Sequence, residues 1–149
     1  MKQPFEKSTE ELSSILGKAK KEAALEEYLR SLSEADDEMV LCNYLNDILA
    51  QKNRALSEVV KESNLSRDYV YNIFNGNRRN PEKMKLIGIC LGCHMTLRET
   101  QRALEIAQKG VLYPRNPADA IIIYNINNGN WSVMEINQQL YEHGFEIIQ

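Results

Sequence analysis

The sequence lacks any apolar run that approaches the ~18 residues needed for a membrane-spanning helix. Residues 1–9 are mainly polar and include Pro4, so they lack the apolar core of a signal peptide. These two absences predict a cytoplasmic protein without membrane segments. With 149 residues, the chain is long enough for one domain with a hydrophobic core and short appendages.

Residues that carry chemistry are also scarce. The chain has three cysteines and two histidines, and it contains no glycine-rich phosphate loop. No Ser/His/Asp arrangement can be assembled from the sequence, and a solvated linker explains the carboxylates at positions 36–38. We therefore expect no enzymatic activity, no catalytic residue and no cofactor.

One short motif is typical of a cofactor site. Residues 90–94, CLGCH, spell the C-x-x-C-H pattern of covalent haem attachment. Such attachment normally requires an exported protein, and a zinc site would need both Cys42 and His143 as further ligands. The sequence instead predicts that Cys90 and Cys93 are buried, unreactive thiols in a helix, with no metal and no disulfide.

The charge is unevenly distributed along the chain. Residues 1–38 carry 6 positive and 10 negative side chains, residues 39–113 carry 11 and 7, and residues 114–149 carry 1 and 4. A basic centre between acidic ends is typical of a duplex-binding core with appendages that stay off the nucleic acid. Ordinary scatter of surface charge also produces such differences, so the pattern supports this interpretation without deciding it.

Apolar residues recur at helical spacing along most of the chain, which predicts an all-α protein in three parts. Residues 1–38 begin with a capping box from Ser8 to Glu11 and predict an amphipathic helix over about 9–32, followed by an acidic linker. Residues 39–113 predict five helices. In residues 114–149, cap signals at Asn116-Pro117 and Ser132-x-x-Glu135 predict a helical hairpin.

The stretch from Leu56 to Pro81 predicts two short helices joined by a tight turn. Asn64 suits the left-handed residue that ends the first helix, and Ser66 suits the cap of the second. Gly76 predicts the end of the second helix. Asn80-Pro81 pairs a capping side chain with a proline at the first helical position, so it predicts the start of the next helix.

This stretch resembles the phage-repressor and Cro-type (XRE) helix-turn-helix family. The resemblance covers roughly Met39 to Lys109 and is carried by the spacing of Val60, Asn64, Leu65, Val70, Ile73, Asn75-Gly76, Arg78 and Asn80-Pro81. It implies a five-helix repressor-like domain in a sequence-specific DNA-binding transcriptional regulator, with repression as the usual role. Three positions depart from the family: Asn64 replaces a glycine, Val60 an alanine, and Leu56 a glutamine that binds phosphate in many members.

In that family, residues at the amino end of the second helix enter the major groove and contact base edges. The corresponding residues here, outside the predicted buried face, are Ser66, Arg67, Asp68, Tyr71 and Asn72. Arg67 is suited to guanine and Asn72 to adenine, whereas Asp68 either accepts from cytosine or repels phosphate. Basic residues around the motif are expected to contact phosphates: Lys52, Arg54, Arg78, Arg79 and Lys83.

A single domain of this type contacts too few bases for selective binding, so the resemblance implies a homodimer on double-stranded DNA. The helix over 9–32, the hairpin over 117–143, or both are candidates for the dimer interface or for binding a protein partner. Trp131, at the hairpin turn, is either an interface anchor or a lid over the turn.

The alternative function is a protein-interaction adaptor that keeps the helix-turn-helix scaffold without specific DNA binding. Asp68, Leu56 and the acidic total charge favour the adaptor. Arg67, the arginines at 78 and 79, and the basic centre favour DNA binding.

Overall fold

Helices make up all the regular secondary structure in the residues that the computed structural model describes, 22–35 and 40–149, which confirms the all-α class. The chain divides into two units, Met1–Glu38 and Met39–Gln149. In the first unit, helix α1 (Glu22–Ala35) ends three residues beyond the predicted boundary. The predicted capping box at Ser8 and the helical positions 9–21 lie outside the described residues.

The second unit contains seven helices in its described part. They are α2 (Val40–Gln51), α3 (Leu56–Ser63), α4 (Arg67–Phe74), α5 (Lys83–Gly92), α6 (Leu97–Ile106), α7 (Pro117–Asn127) and α8 (Val133–Glu142).

Local polar signals set the boundaries of the two-helix motif as predicted. Asn64 ends α3 in the left-handed region, with φ of 62°. Ser66 caps α4 because its hydroxyl oxygen accepts a hydrogen bond from the Tyr69 N–H at 3.2 Å. The two helices are therefore joined by a turn of three residues, 64–66.

The same logic sets the starts of three later helices. Thr96 and Glu99 form a reciprocal capping box at the start of α6. At the start of α7, Asn116 accepts from the Asp119 N–H and Pro117 occupies the first position. Ser132 accepts from the Glu135 N–H and caps α8.

The predicted start of α5 is wrong by two residues. Asn80 does not cap this helix, which begins at Lys83 with Glu82 in the cap position. The reason is a tertiary hydrogen bond: the Glu82 N–H donates to the Tyr69 hydroxyl at 3.1 Å and holds residue 82 extended, with ψ of 145°. Contact with α4 therefore outweighs the local Asn-Pro signal.

Helix α5 lies at the centre of the second unit, and all residues from Leu86 to Gly92 are buried. Two glycines allow it to approach α3. A Cβ at Gly88 would lie 3.0 Å from the Ser63 carbonyl oxygen, and one at Gly92 would lie 3.1 Å from the Val59 carbonyl oxygen. Only glycine permits this backbone separation without movement of α3.

The hairpin α7–α8 shares this core. Its buried residues belong to the same apolar cluster as those of α2 to α6: Ile122, Ile126, Val133, Ile136 and Leu140. The Trp131 indole N–H donates to the Met95 carbonyl at 2.7 Å. After α8, the apolar terminal segment packs on the unit, and its residue Ile148 is fully buried.

Candidate nucleic-acid interface

Helix α4 leaves its amino-terminal half accessible to solvent. Its buried face consists of Val70, Ile73 and Phe74. The five predicted base-contact residues all lie away from that face, three of them exposed and the last two half-buried: Ser66, Arg67, Asp68, Tyr71 and Asn72. The structure thus brings the predicted set together on one accessible surface.

Neighbouring side chains orient this surface. The Arg67 guanidinium lies over the Tyr71 ring, 4.9 Å from its centroid. This stacking restrains the arginine side chain but leaves the N–H groups at the edge of the guanidinium able to donate hydrogen bonds. The Asn72 side-chain oxygen lies 3.5 Å from the Asn77 amide nitrogen. Ser66 uses its oxygen as the cap of α4, so its hydroxyl hydrogen remains available to donate.

A pair of cations lies at the junction of α4 and α5. Arg78 and Lys85 both contact the Tyr69 ring, at 4.9 Å and 4.7 Å from its centroid. The Tyr69 hydroxyl is itself held by the Glu82 N–H, and burial is the main cause that raises its pKa above the usual value. The neutral ring therefore fixes two positive charges beside the accessible face of α4.

Lys85 is absent from the residues that the resemblance predicts. Lys85 is the last residue of a Lys-Met-Lys run, and nothing in its sequence context distinguishes it from an ordinary surface lysine. Only the packing of α5 against α4 places its ammonium over Tyr69.

Arg79 and Lys83 complete the basic surface. Arg79 is exposed, and its Nε donates to the Gly76 carbonyl at 3.2 Å. Lys83 is the first residue of α5, and its ammonium lies beside Gly110, 3.9 Å from where a Cβ would stand. No side-chain cap covers the first turn of α5, so its amide groups add a favourable potential for an anion.

Lys52 and Arg54 have different surroundings from the other predicted phosphate ligands. Lys52 forms an ion pair of 2.9 Å with Glu99. Arg54, whose side chain is 13% exposed, donates to the Gly92 carbonyl at 3.1 Å and pairs with both Glu58 and Glu62. These bonds run to α3, α5 and α6, so both side chains are engaged by groups within the fold.

The carboxylates that hold these cations have depressed pKa values. Burial alone would raise the pKa of Glu62, but hydrogen bonds from Arg54 and His94 outweigh it and bring the pKa below its usual value. For Glu99, the opposing effect of burial is likewise outweighed by its bonds with Lys52 and the Thr96 backbone. Both sites are ionised at neutral pH and act as internal counter-ions.

The C-x-x-C-H motif spans the end of α5. Cys90 and Cys93 are fully buried, and burial raises the pKa of Cys90 well above its usual value and that of Cys93 to about 12. His94 follows the helix at φ of 58°, with its Nε2 3.0 Å from a Glu62 oxygen and its ring stacked on Trp131 at 4.9 Å. The thiols are therefore neutral core groups, as the sequence predicts.

The described part of the chain contains no group of three or more His, Cys, Asp or Glu side chains arranged to hold a metal ion. In that same part, no helix combines the length and apolar character needed to cross a membrane. Neither a family model, nor a curated protein, nor a solved structure matches the chain.

Proposed function

We propose that the chain is a sequence-specific regulator that binds double-stranded DNA, belongs to the phage-repressor and Cro (XRE) type, and acts as a repressor. One observation carries the proposal. The accessible amino-terminal half of α4 lies beside two cations, Arg78 and Lys85, that the Tyr69 ring holds in place. A base-reading surface next to oriented phosphate ligands is what a helix-turn-helix requires.

In this proposal, helices α2 to α6 form the five-helix repressor-like domain and α4 enters the major groove. Arg67 pairs bidentately with guanine O6 and N7, and Asn72 pairs with adenine N6 and N7. Ser66, Asp68 and Tyr71 contact neighbouring base edges, with Asp68 accepting from cytosine N4. Stacking on Tyr71 reduces the conformational entropy that Arg67 loses on binding.

The phosphate ligands in this proposal are Arg78, Arg79, Lys83 and Lys85. Lys52 and Arg54 are left out because binding phosphate would break their ion pairs with Glu99 and Glu62. Four cations in each domain, with two domains on one site, imply a steep salt dependence, since each neutralised phosphate contributes a slope of about −0.9.

The active form is a homodimer in this proposal. One α4 helix contacts only a few base pairs, and two copies related by a two-fold axis read half-sites about one helical turn apart. The acidic ends of the chain lie off the duplex, since like charge repels them from the phosphates.

The test is a binding titration on a pool of random duplexes, followed by selection and sequencing of the bound fraction. Arg67→Ala is expected to cost about 1–3 kcal/mol and to relax the preference at one base position. Arg78→Ala is expected to weaken binding evenly across sequences and to lower the salt slope by about 1. Arg115→Ala, an exposed arginine outside the motif, is the matched control and should change neither.

A second candidate is an adaptor that keeps the scaffold and binds another protein instead of DNA. The strongly exposed apolar side chains of α8, Met134 and Tyr141, favour it because they offer a protein-binding surface. Selection that enriches no sequence, with equal binding by wild type and Arg67→Ala, would favour the adaptor over the regulator.

A further inference from the structure

The outer face of α8 combines a ridge and a groove. Met134 and Tyr141, two helical turns apart, form the ridge and are 82% and 75% exposed. Beside the ridge lies a groove of about 590 Å³ between α8 and the end of α3. Its lining residues include Trp131, Val133 and Ile147, so the groove offers an apolar floor next to an apolar projection.

We propose that this ridge-and-groove face binds the same face of a second copy of the chain through a two-fold axis. An isologous contact places the same surface on both sides, so that surface must be complementary to itself. Here the Met134 and Tyr141 side chains of one copy fill the groove of the other, and the reverse occurs at the same time. The inference deepens the proposed function, because it assigns the interface of the dimer that DNA reading needs.

Charge complementarity supports a second copy as the occupant. Lys61 is exposed on the α3 wall of the groove and belongs to none of the ion pairs among the described residues. On the α8 side, Glu142 is exposed and bonded to Gln138, which lines the groove. In a two-fold contact the Lys61 ammonium of each copy meets the Glu142 carboxylate of the other, which gives two equivalent ion pairs.

The polar groups in the groove argue against a small ligand. Asn64 and Asn137 line it, but both amides donate to the Ile148 carbonyl at 2.8 Å. Small-molecule sites need convergent polar groups that orient the ligand, and here these groups are already used. What remains is apolar surface with a charged rim, the composition of a protein–protein contact.

The location of the groove links the dimer to the DNA-reading motif. One wall is formed by Lys61, Glu62 and Asn64, and Asn64 is the residue that turns α3 into α4. A second copy seated in the groove is therefore attached directly behind the turn. Such an attachment fixes the separation and orientation of the two α4 helices, the quantities that set half-site spacing.

The test is the mass of the full chain measured by light scattering and sedimentation equilibrium, without DNA. Wild type is expected to have the mass of a dimer in both measurements. Tyr141→Asp is expected to raise the dissociation constant at least about 30-fold, as for a buried aromatic anchor. Tyr124→Asp is the matched control, because this tyrosine is 65% exposed on the other helix of the hairpin and should leave the dimer unchanged.

Charge reversal provides the second arm. Lys61→Glu and Glu142→Lys should each raise the dissociation constant of the dimer roughly 5-fold, as expected for ion pairs at the rim of an interface. The double variant should recover most of this loss. Thermal unfolding of each variant shows whether it remains folded. Because both positions are exposed, the double variant still tests the interface if Tyr141→Asp fails to fold.

A wild-type monomer would overturn the proposal, and the ridge-and-groove face would then be assigned to a different protein partner. A dimer that persists in Tyr141→Asp and in both charge reversals would also overturn it. Neither result depends on DNA. Conversely, a loss of base preference in Arg67→Ala would support DNA recognition even if the dimer formed through another surface. The mass measurements therefore test the interface, and the DNA-binding measurements test the proposed function.

Discussion

The side chain of Asn64 donates a hydrogen bond to the backbone carbonyl of Ile148, 2.8 Å away and 84 residues later in the chain. Asn137 also binds Ile148, donating to its carbonyl and accepting from its N–H. The terminal segment is thus fastened across the turn between α3 and α4. This contact gives a physical reason for asparagine at a position where the resembled family carries glycine, since glycine tolerates the left-handed turn but makes no such bond.

The first prediction concerns the two roles of Asn64. Asn64→Gly keeps the left-handed residue and removes only the bond to Ile148, so it should lower the free energy of unfolding by about 1 kcal/mol. Asn64→Ala also adds left-handed strain and should cost about 2–3 kcal/mol. Urea unfolding followed by circular dichroism measures both values.

The control for Asn64 is Asn53→Ala. Asn53 is also left-handed, with φ of 53°, and follows the end of α2. The side chains that donate to the Ile148 carbonyl are those of Asn64 and Asn137, not that of Asn53. Its substitution should cost only the strain, about 1–2 kcal/mol. Equal stability of Asn64→Gly and wild type would show that the Ile148 bond contributes nothing.

Local signals in the sequence are sufficient to predict most of the helix boundaries. Asn64, Ser66, Thr96, Asn116 and Ser132 each act through backbone groups within a few residues, so their effect can be read from neighbouring letters. The failure at Asn80 has the opposite cause. Its cap signal competes with the hydrogen bond that the Glu82 N–H donates to the Tyr69 hydroxyl, which depends on the packing of two helices.

The candidate site divides in the same way. The outward positions on α4 follow from helical periodicity, so the set around Arg67 could be predicted. Lys52 pairs with Glu99, 47 residues away, and Arg54 donates to the Gly92 carbonyl, 38 residues away. The contact of Lys85 with Tyr69 likewise crosses between helices. A basic residue in a sequence does not reveal whether its charge is already neutralised inside the fold.

The second prediction concerns the close approach of α5 to α3. Gly88→Ala would improve helix propensity by about 1 kcal/mol, but the new Cβ would lie 2.9 Å from the Ile148 side chain and 3.0 Å from the Ser63 carbonyl oxygen. Overpacking of this kind costs about 1–3 kcal/mol, and the backbone atom cannot move aside as a side chain can. The variant should therefore unfold at a lower urea concentration, and a higher midpoint than wild type would contradict this packing.

The third prediction concerns acid. Glu62 and Glu99 have pKa values below the usual 4.5 in the folded protein, so their stabilising contribution is complete above that value and is lost as the pH falls through the lowered pKa values. The free energy of unfolding should fall between about pH 5 and pH 3. Glu62→Gln should make the free energy of unfolding fall less steeply with pH, because the glutamine side chain does not titrate.

The matched control for the acid prediction is Glu105→Gln, an exposed residue of α6 that should leave the slope unchanged. At neutral pH, Glu62→Gln should also be less stable than wild type, because it removes the charge opposite the half-buried Arg54. An unchanged acid slope in Glu62→Gln would mean that its ion pair with Arg54 does not contribute to stability.

The fourth prediction concerns the cysteines. Cys90 and Cys93 are buried and their pKa values are raised, and Cys42 is buried with its thiol donating to the Phe74 carbonyl. Since only the thiolate reacts, a thiol reagent at pH 8 should label none of the three cysteines in the folded protein within minutes, and all three after unfolding. Rapid labelling of a cysteine in the native protein would contradict the core assignment of this motif.

The fifth prediction uses the single tryptophan of the chain as a reporter of the contact between the hairpin and α5. The Trp131 ring is stacked on His94, with 4.9 Å between centroids and an angle of 12° between planes. Removing the imidazole leaves one face of the indole open to water, so His94→Asn should shift the Trp131 emission maximum to a longer wavelength. Asparagine is the replacement because residue 94 has a left-handed backbone, with φ of 58°. His143→Asn, at the only other histidine, should leave the emission maximum unchanged because that ring stacks on Phe145 instead. An unchanged emission maximum in His94→Asn would place the imidazole away from the indole, and the hairpin would then be held to α5 by the bond from Trp131 to the Met95 carbonyl and by the apolar core alone.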